Sequence, residues 1–315
     1  MHASHRGFRV LCGVDGSPAA ASAVRWSAWL TGRTGGDLVL LHALRRPPVS
    51  LGVLSARAAP GPAPGGGLRA AVRSTAAELL ERAARGLDDV TPETMIREGD
   101  AAHELLAVAE DVEVDLIVVG TRRRGQVRST LMGSVTTDVV RGSNRPVLIV
   151  GEGDAPSGRP DAQVVAGVDP AHEPGAVVRD AAAFAVASGS GLVICHVAPE
   201  PPMLATMLVG ASAERFEPFT HEAVDAGWLA RLTAAAEARG ARTHAVIRHG
   251  DPARELLELA SEQPRPILAI GSRRRTALTS AMLGSVSSAV LMAADGPTLV
   301  TTATATATAT GADAK

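Results

Sequence analysis

The sequence predicts an α/β protein of two repeated doubly wound domains, each with a five-stranded parallel sheet flanked by helices. Three observations carry that expectation. First, the chain repeats itself: Gly99 and Gly250, Gly120 and Gly271, Gly133 and Gly284, and Pro146 and Pro297 are each 151 residues apart, which marks a duplicated structural unit. Second, within each copy short apolar runs alternate with segments of helical spacing, the pattern of buried parallel strands joined by crossover helices. Third, "VGEGDAPSGRPDA" between the copies has the Gly, Pro and Asp content of a linker. The units are placed at 8–151 and 162–302, with the linker at 152–161 and a low-complexity tail at 303–315. The Ala/Thr repeat of that tail has no large side chain to anchor a core and reads as flexible.

The first copy sets the order of elements. "FRVLCGV" is a short buried strand, followed by "PAAASAVRWSAWLTG", whose spacing is helical, whose proline suits a first turn and whose glycine is a stop. "DLVLLHAL" is a second strand. Beyond the loop "APGPAPGGG", the segment "LRAAVRSTAAELLERAARG" is a helix, and "ETMIREG" a third strand. Helix "AAHELLAVAEDV", strand "DLIVVG", a helix entered from about Thr130 and strand "PVLIV" complete the unit. Such sheets seat ligands beyond the carboxyl ends of their strands, where chain order reverses. Asp15 follows the first strand and Gly120 the fourth, so both flank that point although far apart in sequence. The last strands, "RPVLIV" and "GPTLV", would be sheet edges, which invite pairing.

Composition narrows the function. Formal charge is −2, with 31 Lys plus Arg against 33 Asp plus Glu, so no overall positive field recruits nucleic acid or an anionic membrane. Aromatic residues make up 2% of the chain and Tyr is absent, which removes the stacking platform of a single-strand binder. Neither nucleic acid nor membrane is expected as a partner. Cys12 and Cys195 sit in apolar runs where a buried thiol is the natural state. No secretory segment or 18-residue apolar stretch is seen, and the expected location is the cytoplasm.

The stretch "GTRRRGQVRSTLMGSVT" carries the candidate site. A strand, a glycine-containing turn and a helix amino terminus present unpaired N–H groups and a positive dipole end to an anion. Gly133 permits close backbone approach, Ser134 offers a hydroxyl and Thr136 a second; the other copy offers Gly284, Ser285 and Ser287. Helix capping or tight packing would explain the same residues. Arg122, Arg123, Arg124 and Arg128, and Arg273 to Arg275, put positive charge beside it, either on phosphate or as a solvated loop. Neither GxxxxGK[ST] nor a glycine-rich dinucleotide fingerprint is present, which argues against P-loop and hydride-transfer chemistry. Asp15 can accept hydrogen bonds from a ribose or base, or can cap the helix that follows. His42 and His196 both close second strands, as pocket walls or as hydrogen-bonded structural histidines. No metal-binding spacing and no nucleophile with base and orienter can be assembled. Two long loops carry apolar residues, Leu51, Val53 and Leu54 in one and Met203, Leu204, Met207, Leu208 and Val209 in the other. They can cover the crevice, form an interface or pack locally.

These motifs, "VDGS", "GTRRRGQVRSTLMGSVT" and "RPVLIV", resemble the universal stress protein family, and their recurrence resembles its tandem members. The resemblance spans about Phe8 to Val150 and Gln163 to Thr301. Nucleotide-binding members have a glycine, two residues, a second glycine, nine residues, then glycine with Ser or Thr. Here Gly120, Thr121 and Arg122 are followed by Arg123 in the second glycine's place, then by Gly133 and Ser134 after nine residues. The second copy has Gly271, Ser272, Arg273, then Arg274 in that place, with Gly284 and Ser285 at the same interval. An arginine there either obstructs the backbone's approach to phosphate or folds its guanidinium over it.

The family's first-strand aspartate, which serves the nucleoside, maps to Asp15 and Asp169. Pro170 and Ala171 replace the Gly16 and Ser17 of the first copy, removing an N–H and a hydroxyl, so the first site is the better candidate. The resemblance thus implies ATP or a related adenine nucleotide, with Mg as an accompanying ion, held by the residues above together with the backbone at Val135 and Val286. It implies a stress-response regulator whose occupancy modulates assembly or partner contact; a scaffold with degenerate sites and a slow ATPase are the alternatives. Association across the last strand implies a pseudo-dimer within the chain and a homo-oligomer beyond it.

Overall fold

Apolar runs too short to be helices need partners on both edges and cover on both faces, and one continuous sheet of ten strands provides them. The computed structural model describes residues 7–45, 65–87, 89–121, 133–156, 161–172, 174–199, 221–272 and 283–302. The first unit runs β1 (Val10–Gly13), α1 (Pro18–Thr34), β2 (Leu38–Leu44), α2 (Gly65–Ala84), β3 (Glu93–Glu98), α3 (Ala101–Asp111), β4 (Leu116–Thr121), α4 (Ser134–Gly142) and β5 (Val147–Gly151). The second repeats it as β6 (Gln163–Val168), α5 (Pro174–Ser188), β7 (Gly191–Ala198), α6 (His221–Glu237), β8 (Arg242–His249), α7 (Pro252–Ser261), β9 (Ile267–Ser272), α8 (Ser285–Ala293) and β10 (Thr298–Thr302). Each unit therefore has the expected five strands.

The strand order is β3-β2-β1-β4-β5-β10-β9-β6-β7-β8. Pairing is parallel throughout each unit. Between units β5 meets β10 antiparallel, with Leu148 opposite Leu299 and Val147 opposite Val300. Pairing of the last strands within the chain is thus as the sequence leads one to expect. Its antiparallel sense has a consequence for function: the carboxyl ends of the two halves point to opposite sides, so their crevices open in opposite directions and cannot share one ligand.

Alternation along the strands sorts the core into two layers. Val10, Cys12, Leu148 and Leu299 pack on one face with Trp26 and Leu30 of α1 and Phe184 of α5. Leu11, Val147, Ile149 and Val300 pack on the other with Leu105 of α3, Val139 of α4, Leu256 of α7 and Val290 of α8. Each layer runs through the seam between units. No helix among the described residues is long and apolar enough to cross a membrane.

Among the boundaries that differ from the sequence expectation, including the start of α2 at Gly65 inside the expected loop, two have a clear local cause. Helix α1 passes through Gly32 and ends at Thr34, because Gly35 adopts φ 62 and donates its N–H to the Thr31 carbonyl, the usual left-handed stop. Helix α4 starts at Ser134, with Gly133 in the capping position, later than the expected entry near Thr130. The repeated Gly-Asp pairs also find their reason: Asp100 caps α3 by accepting from the Ala102 and His103 N–H groups, and Asp251 caps α7 by accepting from Arg254.

Gly120, at the tip of β4, positions the site by being small. A Cβ there would lie 2.5–2.7 Å from backbone atoms of Ala19 and Ala20 in the first turn of α1. At Gly271 the corresponding Cβ would meet only a methyl of Val177, at 3.0 Å. Gly120→Ala is therefore expected to cost about 1–3 kcal/mol, as overpacking against unyielding atoms does. Gly271→Ala is expected to cost less, because a side-chain methyl can give way; urea midpoints of the two variants at unchanged m-value check the order.

Candidate functional site

The order in which strands are laid down reverses between β1 and β4, since β1 has β2 on one side and β4 on the other. Asp15 stands exposed at the tip of β1. Its Oδ1 accepts the Ser17 N–H at 2.9 Å across Gly16, whose φ of +80° the turn requires. Ser17, not Asp15, caps α1, its Oγ accepting from the Ala20 N–H at 3.2 Å. The Oδ2 of Asp15 consequently has no partner among the described residues. His42, at the end of β2, places Nδ1 2.6 Å from the Val14 carbonyl. A neutral ring that donates there leaves Nε2 as an acceptor. His196 repeats the contact to Val168 at 3.2 Å, so the duplicated histidine ties the second strand to the residue before each aspartate.

Opposite Asp15 lies the amino terminus of α4. Gly133 has φ −52° and no side-chain cap bond, and the first bond of the helix runs from the Thr137 N–H to the Gly133 carbonyl. The first-turn N–H groups of Ser134, Val135 and Thr136 are left facing outward. A Cβ on Gly133 would meet nothing within 4 Å. Neither the backbone conformation nor packing among the described residues thus demands glycine there. Ser134 and Ser285 are exposed, and Gly284 precedes α8 with φ −64°, again without a side-chain cap bond.

Thr136 and Ser287 have another task than offering a free hydroxyl. Thr136 Oγ1 donates to the Gly120 carbonyl at 3.3 Å and Ser287 Oγ to the Gly271 carbonyl at 2.7 Å. With 3% and 9% exposure they tie helix to strand tip from inside. Val135 and Val286 pack their side chains against the core, leaving their backbone for the crevice. Arg122, Arg123, Arg124, Arg128 and Arg273 to Arg275 lie outside the described residues, as do both apolar loop segments and the tail.

In the second unit the aspartate is fully engaged. Asp169 Oδ1 accepts the Ala171 N–H at 2.9 Å, and Oδ2 lies 2.7 Å from His172 Nδ1. Burial pushes the Asp169 carboxyl up, but the hydrogen bonds from Ala171 and His172 and the charges of His172 and His196 together outweigh it, and its pKa is lowered. The ring of His196 packs edge-on against Trp228, with centroids 5.3 Å apart. Sequence reasoning missed both His172 and Trp228. The counterpart of His172, 154 residues earlier, is Pro18, so the repeat gave it no signal; its position three residues after Asp169 was the only one.

The remaining titratable groups do not add chemistry. Burial pushes the Cys12 and Cys195 thiols up to about 12, keeping them protonated and unreactive at neutral pH. Among the described residues no three His, Cys, Asp or Glu side chains gather as metal ligands.

A sequence model of the universal stress protein family matches residues 8–151 and 162–302. A universal stress protein of Mycolicibacterium smegmatis is 27% identical over 313 residues, 93% of this chain and 96% of the relative. One from Mycobacterium tuberculosis is 28% identical over 95% of this chain and 98% of its own length. Among solved structures, a universal stress protein from Archaeoglobus fulgidus shares the fold with a TM-score of 0.66 at 18% identity, over 93% of this chain and 97% of the other.

Asp169 is expected to titrate below the ordinary aspartate range, and His172→Ala to move its midpoint upward, both readable from the side-chain carboxyl carbon by NMR. An unfolded aspartate titrates near about 3.9. Because the folded value is lower, the stability from this pairing is present above the unfolded pKa and lost as pH falls through the folded one.

Proposed function

The chain belongs to the universal stress protein family, and from that premise we propose that its first unit binds ATP or a related adenine nucleotide, with occupancy altering assembly or a partner contact. One observation carries the reading: at the ends of the adjacent strands β1 and β4 stand an Asp15 carboxylate oxygen with no partner among the described residues and the amino terminus of α4, which has no side-chain cap bond. The first is an acceptor for ribose hydroxyls or a base amine; the second is a set of donors for phosphate oxygens. A nucleotide has those two polarities at its two ends. The open space over Gly133 admits the phosphate side. A magnesium ion bound with the nucleotide would ride on the phosphate oxygens, as it commonly does.

Asp15 is assigned to the nucleoside end and no general base is assigned to the phosphates, so the reading is of a binder. The unpaired, buried thiols fit a reducing compartment, which supports a cytoplasmic location. Homo-oligomer formation belongs to the same proposal; since β5 and β10 are already paired with each other, it would use a different face.

Calorimetry of ATP with the nucleotide-free chain is expected to show binding, weakened about tenfold or more by Asp15→Ala through loss of charge-assisted hydrogen bonds. Gly133→Val, whose added atoms meet open space, is expected to weaken binding at a stability cost of no more than about 1 kcal/mol. Absence of heat from folded, nucleotide-free protein would sink the reading in favour of a scaffold with degenerate sites.

A further inference from the structure

The two crevices are built from one template, yet their nucleoside walls differ at both groups that point outward in the first unit. At Asp15 one carboxylate oxygen is held by the turn and the other has no partner among the described residues. At Asp169 the turn holds one oxygen and His172 holds the other, at 2.7 Å. Beside them His42 is tied through Nδ1 to the strand carbonyl, with no aromatic ring against it among the described residues, whereas the ring of His196, tied the same way, is met by Trp228 at 5.3 Å and 75°. The residues responsible come from two separate elements, the turn after β6 and helix α6, so the two differences arise independently.

We propose that His172 and Trp228 are specificity-determining residues that close the second crevice to nucleosides, leaving the first unit as the nucleotide site of the intact chain. The physical basis is competition. A nucleoside hydroxyl or amine entering the second unit must displace the His172 ring from the one oxygen of Asp169 that the turn leaves over. It must also share the space beside His196 with an indole already packed there. Among the described residues no side chain holds the corresponding oxygen of Asp15. The His172 and Asp169 side chains are 42% and 54% exposed, so the imidazole by itself withholds only about three- to fivefold in affinity, the range of an exposed ion pair. Trp228 adds a steric component that solvent does not screen, and the two together make the closure effective. Gly133 and Gly284 precede the equivalent helices α4 and α8 in the same uncapped manner, so the difference between units lies at the nucleoside wall. The second unit on this view keeps the fold and completes the seam while its own side chains stand where a ligand would.

This inference rests on the adenine-nucleotide reading of the first unit, and the test separates the two. ATP binding is measured by calorimetry on the full-length chain as wild type, as Asp15→Ala, as His172→Ala with Trp228→Leu, and as all three changes together. Leucine keeps an apolar side chain where Trp228 packs, and circular dichroism checks that each variant is folded; His172→Ala alone, at an exposed position, serves as the second probe. The expected result is one nucleotide per wild-type chain, bound about tenfold or more weakly on Asp15→Ala. The opened variant takes a second nucleotide, which persists when Asp15→Ala is added, and His172→Ala alone raises second-site affinity by about three- to fivefold. Two equivalent sites in the wild type, or one site in the opened variant, overturns the closure. Binding by the opened variant without any by the wild type overturns the first-unit reading and leaves the closure standing. No binding by either overturns both.

Discussion

The arrangement of this protein depends on the antiparallel pairing of β5 with β10. Each is the last strand of a five-stranded parallel sheet, and each would otherwise expose a row of unpaired N–H and C=O groups along a strongly apolar edge. Pairing satisfies both rows at once and buries Leu148 and Leu299 completely at the centre of the seam. Because the two apolar layers continue across it, the seam is part of the core and not a surface contact between finished domains. Helices α1 and α5, which cover the sheet on one face on either side of it, are also linked by the Arg33 side chain, whose Nε donates to the Ala187 carbonyl at 3.4 Å.

Antiparallel pairing also separates the two crevices. Had the last strands met in parallel, both carboxyl edges would lie on one side and a single extended ligand or partner could engage them together. As built, each crevice must be complete in itself. That independence removes any requirement that the two remain alike, and they are not. The strand-to-helix ties are retained, Thr136 with Gly120 and Ser287 with Gly271, as are the two histidine-to-carbonyl contacts. What differs is the surroundings of the aspartate: one oxygen of Asp15 has no partner among the described residues, while Ala171 and His172 hold both oxygens of Asp169.

The retained contacts show which parts of the repeated motif serve the fold. Gly120 is held small by the backbone of α1, and the hydroxyl two residues after Ser134 is spent on the strand carbonyl. Gly133 is different, since its dihedral angles suit any residue and the space around its Cα is open. Within one short stretch, then, a glycine required by packing and a glycine that packing among the described residues does not require stand thirteen positions apart. Spacing alone does not distinguish them, because both repeat with the same period.

What the sequence by itself determined was the duplication and the strands and interleaved helices of each unit. These follow from periodicity and composition, which act locally: buried runs read as strands, helical spacing as helices, and Asp15 and Gly120 end strands that flank the reversal. The boundaries it misjudged, at Gly32 and near Thr130, are places where one residue's dihedral angles or one capping contact decides. Only the tertiary structure settled which hydroxyls are spent on strand carbonyls, that Ser17 and not Asp15 caps α1, and that His172 and Trp228 close on the second aspartate and histidine. The reason is physical: a side chain's availability depends on which acceptor or ring lies within about 3–5 Å of it, and such neighbours come from elements far apart in the chain.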